Sequence, residues 1–100
     1  MDKEKRDKLY KLAVELWGIG SQQDMAMGEC AEFISAVIDY RRDRVDLSNV
    51  IDEIADVMIM MEQMALLCGE DMVALAKENK LKRLEGRIDF WIERQSNDLD

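Results

Sequence analysis

The chain has 100 residues and contains neither histidine nor proline. Without histidine it cannot supply the Glu-x-x-His pairs of di-iron bundles, and hydrolysis at a histidine-ligated zinc is disfavoured for the same reason. A nucleophile–histidine pair and a glycine-rich phosphate loop are also missing. Any hydrolysis is therefore left to water attacking with metal assistance. Without proline, and with only five glycines, the chain favours long uninterrupted helices. Long hydrophobic runs are missing too. VMIMM at 57–61 is far too short to span a bilayer, and the opening MDKEKRDKLY lacks the apolar centre of a signal peptide. A cytoplasmic protein that does not engage membranes is expected. The two cysteines, Cys30 and Cys68, fall within helical segments and are expected to be reduced core residues rather than a disulfide.

Bases are missing from one long stretch: between Val45 and Ala76 there are acids and no lysine or arginine. The formal charge of −8 disfavours binding to a nucleic-acid backbone. Lys77, Lys80, Lys82, Arg83 and Arg87 then cluster. Two readings stand for this polarity. The acidic and basic stretches meet the two halves of a metal-bound phosphate ligand, or they form solvated faces with intrahelical ion pairs.

What is present is 48% apolar and 36% charged residues, the balance of a soluble, folded, helix-rich chain. One domain over residues 1–100 is expected, with a core too small to be more than marginal on its own. Four helical segments separate. The first runs from about residue 3 to Trp17, with Leu9, Leu12, Ala13 and Leu16 as its apolar stripe. GIGS breaks it, and Ser21 is the expected N-cap of a second helix reaching about Arg42. Asp46 or Ser48 caps the third, which stops at Gly69. Asp71 caps the fourth, Gly86 kinks or ends it, and residues 96–100 fray. Short connections favour antiparallel neighbours, hence an all-α antiparallel bundle of about four helices. In the third helix Ile54, Met58, Met61 and Ala65 cover one side while Ile59 and Leu66 lie nearly opposite. A helix apolar on two flanks is buried on two sides. The bundle is therefore expected to be completed by homo-oligomerisation, most simply as a dimer, with a tetramer as the other possibility.

The second helix holds an anomaly. At about 100° per residue, Glu29 falls inside the apolar arc, with Met25, Phe33, Ala36 and Tyr40 within roughly 40° of it. The third helix repeats the pattern: Glu53 has Val57, Met60 and Met64 at offsets of 4, 7 and 11 residues. Each glutamate has an acidic partner three residues on, at the edge of its apolar face: Glu32 and Asp56. The same interval at Glu4/Asp7 and Asp43/Asp46 serves as an internal control. Glu4 is flanked by Lys8, Lys11 and Glu15 on a solvated face, and the other pair lies in a turn. Four inward carboxylates with no base in either arc repel one another. A hard divalent cation resolves this, because Mg²⁺ takes carboxylate oxygens and keeps waters for a phosphate substrate. Protonation of one or two acids is the rival solution.

Glu29-x-x-Glu32, a gap of twenty residues, then Glu53-x-x-Asp56 resembles the signature of the MazG-like, all-α nucleoside triphosphate pyrophosphohydrolases. MGECAEFISAV and VIDEIADVMIMMEQM are similar to the two motif helices over their whole length, and the resemblance covers about residues 17–87. Its style is similar to the small stand-alone members carried by bacteria and their phages. The resemblance implies helices of two chains forming bundles around a cleft. It also implies Mg²⁺-dependent hydrolysis of a nucleoside triphosphate to the monophosphate and pyrophosphate, with Mn²⁺ as a possible substitute. By motif position Glu29, Glu32, Glu53 and Asp56 are the implied metal ligands. Glu32 and Glu53 are the implied catalytic carboxylates, with Glu32 placed to orient or deprotonate the attacking water.

The family's fourth helix carries an asparagine followed by a Lys-x-x-Arg pattern that meets phosphates or base. Asn79, Lys80 and Arg83 are the counterparts here, with Asn79 one residue closer to the lysine than in the family. Gly28 replaces the family's common leading acid. For Trp17, Gln22 and Gln23 two readings stand: base stacking and hydrogen bonding at the cleft mouth, or a core tryptophan beside an exposed helix start. Met58, Met60, Met61 and Met64 are expected to be core filler. Two other functions remain in view, a phosphoribosyl-ATP pyrophosphohydrolase-like enzyme and a non-catalytic helical dimerisation module that keeps an acidic seam.

Overall fold

The computed structural model describes residues 1–98 and is all-α, with four helices: α1 Lys3–Trp17, α2 Ile19–Arg41, α3 Leu47–Cys68 and α4 Glu70–Asp98. Two compact units result. Met1–Leu67 holds α1, α2 and nearly all of α3, and the second unit begins at Cys68 and contains α4. Among the described residues no helix is long and apolar enough to cross a membrane.

Local chemistry sets the helix ends. Asp2 caps α1, its carboxylate accepting from the Lys5 amide at 2.8 Å. A single residue, Gly18, links α1 to α2. Its φ of 90° is one that side chains resist, its N–H donates to the Val14 carbonyl at 2.8 Å, and its own carbonyl starts α2 by accepting from Gln22 N at 3.2 Å. Gly18 thus serves both helices, and the expected cap Ser21 instead lies inside the first turn of α2.

At α3 the expectation holds. The Asp46 carboxylate accepts from the amide and the hydroxyl of Ser48. The hydroxyl bond is the main reason that carboxyl sits below the usual aspartate range. Gly69, at φ 119°, gives its carbonyl to Val73 N, so α4 begins at Glu70 and Asp71 is within its first turn rather than its cap. Gly86 lies inside an unbroken α4, because a lone glycine weakens a helix without ending it. Ser96, Asn97 and Asp98 are helical, and Leu99 and Asp100 lie outside the described residues.

Within the first unit the core is small: Ala26, Ala36, Val50 and Met60, with two amides, Gln22 and Gln63, buried beside them. Gln63 ties the three helices together. Its Nε2 donates to Gln22 Oε1 on α2 at 3.0 Å and to the Tyr10 carbonyl on α1 at 3.2 Å. The Tyr10 hydroxyl in turn donates to Glu62 on α3 at 2.5 Å. This docking turns α1 by about a quarter turn from its expected orientation. Tyr10, Ala13 and Val14 are half-buried, while Leu9, Leu12 and Leu16 are exposed. An apolar stripe read from one helix cannot foresee a polar anchor on its neighbour.

The buried face of α3 carries Val50, Met60 and Gln63, with Glu53 and Val57 half-buried. Both flanks expected to be covered carry exposed residues, Ile54, Met58 and Met61 on one and Ile59 on the other, while Ala65 and Leu66 are half-buried. Of the four methionines expected in the core, Met60 is buried and Met64 half-buried, but Met58 and Met61 are exposed. Both cysteines are free thiols, Cys30 half-buried and Cys68 exposed, so Cys68 is no core residue.

Candidate metal centre and adjoining cavity

Helices α2 and α3 run antiparallel. Gln22 faces Gln63, and seven residues further along α2 and seven back along α3, Glu29 meets Asp56. Seven residues is close to two helical turns, so each helix presents its amide and its acid on one face.

One carboxylate oxygen from each of Glu29, Glu53 and Asp56 lies within 4.8 Å of the others. Glu29 and Glu53 are half-buried, and each has an Oε2 screened from solvent with no hydrogen-bond partner. Asp56 stands at the exposed edge. Glu32 is exposed and outside the tight trio, yet its charge reaches both glutamates. Burial, first, and then the charges of Asp56, Glu32 and Glu53 push the Glu29 carboxyl above the usual glutamate range. Burial, followed by Glu32, Asp56 and Asp52, does the same to Glu53. Of the four carboxylates expected to face inward, Glu29 and Glu53 are half-buried, whereas Asp56 and Glu32 are exposed, Asp56 within the trio and Glu32 outside it. The control residue Glu4 is exposed and pairs loosely with Lys8 at 3.7 Å.

The donor set suits a hard divalent cation. It is all oxygen, anionic, and includes two buried oxygens that lack any donor. Such orphans cost desolvation energy that a cation or a proton offsets. Both resolutions read from the sequence are thus chemically available to the same cluster.

A cavity of about 420 Å³ opens beside the cluster, and Glu29 and Asp56 belong to its wall. The remaining lining is largely apolar and includes Tyr10, Trp17, Met25 and Ile59, with Gln22 and Gln63 among the few polar groups. Trp17 is 63% exposed and lies on the cavity wall, so it is not a core tryptophan. Gln22, at 2% exposure, is no exposed helix start. Gln23 is exposed. Asn79, Lys80 and Arg83 belong to the second unit, where they are exposed along α4. Lys80 and Arg83, three residues apart, share a face there.

Sequence reasoning missed Gln63 and the Tyr10–Glu62 contact. A signal existed for the first. Gln63 follows Asp56 by seven residues on an otherwise apolar face, as Gln22 precedes Glu29 by seven. Nothing in the spacing pointed to Tyr10, whose partner is 52 residues away. Compared with protein-family models, with curated proteins and with solved structures, the chain matches none.

Proposed function

We propose that the protein is a Mg²⁺-dependent nucleoside triphosphate pyrophosphohydrolase of the MazG-like kind, releasing a nucleoside monophosphate and pyrophosphate. The observation that carries this reading is the convergence of Glu29, Glu53 and Asp56 within 4.8 Å, with two buried carboxylate oxygens unpartnered, on the wall of a cavity. The spacing of those acids in the chain, and the absence of histidine, separate it from other metallohydrolase designs.

In this reading Glu29, Glu53 and Asp56 hold the metal. Bound there, Mg²⁺ supplies charge neutralisation at the phosphates and a lowered pKa for bound water. Glu32, exposed at the rim and close enough to influence both glutamates, orients the attacking water and accepts its proton. The apolar cavity takes the nucleoside and keeps bulk water from it, with Trp17 offering a ring for stacking. For Asn79, Lys80 and Arg83 the phosphate or base role comes from the motif resemblance alone and involves no placement of α4 against the acids. The protein works as a homodimer, because the flanks of α3 leave Ile54, Met58 and Met61 bare. No bilayer or nucleic-acid partner is invoked.

The decisive experiment incubates the protein with a panel of nucleoside triphosphates and Mg²⁺ and measures pyrophosphate. Release of pyrophosphate with the monophosphate supports the reading. Release of inorganic phosphate alone, or no turnover across the panel, overturns it. Turnover restricted to phosphoribosyl-ATP would assign the neighbouring specificity.

A further inference from the structure

Every side chain of α4 from Glu70 to Asn97 is exposed, and among them are Leu81, Leu84, Ile88 and Trp91, each at 48% or more. A helix draws most of its stability from packing an apolar face, so a 29-residue helix this bare is short of a partner. The apolar residues share one side. Leu81, Leu84, Ile88, Trp91 and Gln95 follow one another at intervals of three, four, three and four residues, the spacing of a seam between two helices. At 1.5 Å per residue that seam is about 21 Å long. Ile92 widens it, and Val73 and Ala74 continue it toward the start of α4. Two open grooves run along the same side, one from Val73 to Leu84 and the other from Leu84 to Gln95.

The charges beside the seam say what covers it. At about 100° per residue, Lys80, Arg87 and Arg94 fall along one flank, and Glu78, Glu85 and Asp89 along the other. A stripe with a basic edge and an acidic edge is complementary to a copy of itself. Laid in the same direction, two such helices set each basic edge against an acidic one, with Lys80 opposite Glu85 of the second copy. Laid in opposite directions, they set base against base and acid against acid. An anionic lipid surface is a poor occupant, because it calls for a polar face rich in bases, and here acids share that face.

We propose that this face of α4 is an interface between two copies of the chain, with the two helices parallel and in register. Leu81, Leu84, Ile88 and Trp91 meet their own counterparts along the seam, and the flanking charges fix the direction. The surface is distinct from the flank of α3 that carries Met58 and Met61, and it stands whatever chemistry the acidic cluster performs. Pairing engages Lys80 and leaves Asn79 and Arg83, on the far side of α4, exposed.

The test is disulfide trapping in the full chain, with the native thiols removed as Cys30→Ala and Cys68→Ser. Leu81→Cys and Gln95→Cys stand at the two ends of the seam. Parallel helices in register bring each position against itself, so both variants should form linked dimers under mild oxidation. Lys82→Cys, on the outer side, is the control, and the seam positions should link at least about fivefold faster. Gln95 is polar and exposed, so its variant decides even where Leu81→Cys fails to fold. Ile88→Glu puts two acids together at the centre of the seam and should slow linkage through Gln95→Cys at least about fivefold. An antiparallel pair carries the ends of the seam apart, so linkage at neither end overturns the proposal. Linkage at one end alone, equal linkage at the control, or linkage that survives Ile88→Glu overturns it as well.

Discussion

Gln22 and Gln63 meet at 3.0 Å across α2 and α3, and the same register carried two turns along both helices sets Glu29 against Asp56. One antiparallel register therefore positions four of the residues that line the cavity. The amides tie the helices together, while burial and the neighbouring acids push the Glu29 and Glu53 carboxyls above the usual glutamate range. Among the described residues the apolar core that carries this arrangement is four side chains, Ala26, Ala36, Val50 and Met60.

The acidic end should respond to cations by mass action. Free Mg²⁺ at ten times its dissociation constant adds about 1.4 kcal/mol, which raises Tm by ~5–10 °C in a domain of this size. Mn²⁺ should act similarly, and NaCl at matched ionic strength should not. Identical melting curves in the two kinds of salt would count against a specific site.

Glu53→Gln keeps the shape of the side chain and removes one charge from a crowded cluster. Pyrophosphate release is expected to fall by at least about 100-fold. The metal-free protein should melt no lower than the parent, because repulsion has been relieved. Wild-type turnover in this variant would remove Glu53 from the site. Glu4→Gln, on the solvated face of α1, should change neither quantity.

Tyr10 offers a test of how α1 docks. Burial, and then the hydrogen bond to Glu62, push its phenol up to about 12 from an ordinary value of 10.0. The folded state thus holds this proton more tightly than the unfolded chain does, so the contribution to stability is intact below about pH 10 and declines as pH rises toward 12. In a Tyr40→Phe background, phenolate absorbance should lag well past pH 10 while far-UV dichroism stays helical. Glu62→Gln should lower the midpoint without restoring it fully, since burial remains. A midpoint near 10 in the folded parent would mean that the contact does not persist in solution.

Assembly is tested best away from the cavity. Ile59 lines the cavity wall, so a charge there would disturb binding and association together. Met61 lies on the opposite flank of α3, is exposed, and takes no part in that wall. For a dimer closed over that flank, Tm should climb with protein concentration, and Met61→Glu should shift sedimentation toward the monomer. A compact, active monomer of the parent chain at micromolar concentration would refute the dimer and leave the metal site standing.

The acids were legible in the chain because a helical repeat of 3.6 residues converts spacing into facing, so Glu29 and Glu53 stood out as carboxylates within apolar arcs. The four helices were legible too, since the lack of proline and the placing of Gly18 and Gly69 leave few other stops. Their exact caps were not, because Gly18 and Gly69 preempted Ser21 and Asp71, three and two residues earlier. What spacing cannot supply is the partner of each face. Leu9, Leu12 and Leu16 formed the better stripe on α1, yet Tyr10 reached Glu62 and Gln63, more than fifty positions away, and turned the helix by about a quarter turn. The sequence by itself determined where the helices lie and that Glu29 and Glu53 sit on apolar faces, both properties of neighbours within a few residues. Only the tertiary structure decided that Gln22 and Gln63 meet on the cavity wall and that one amide oxygen is left without a donor, because a hydrogen bond across helices depends on their register and on nothing either helix carries alone.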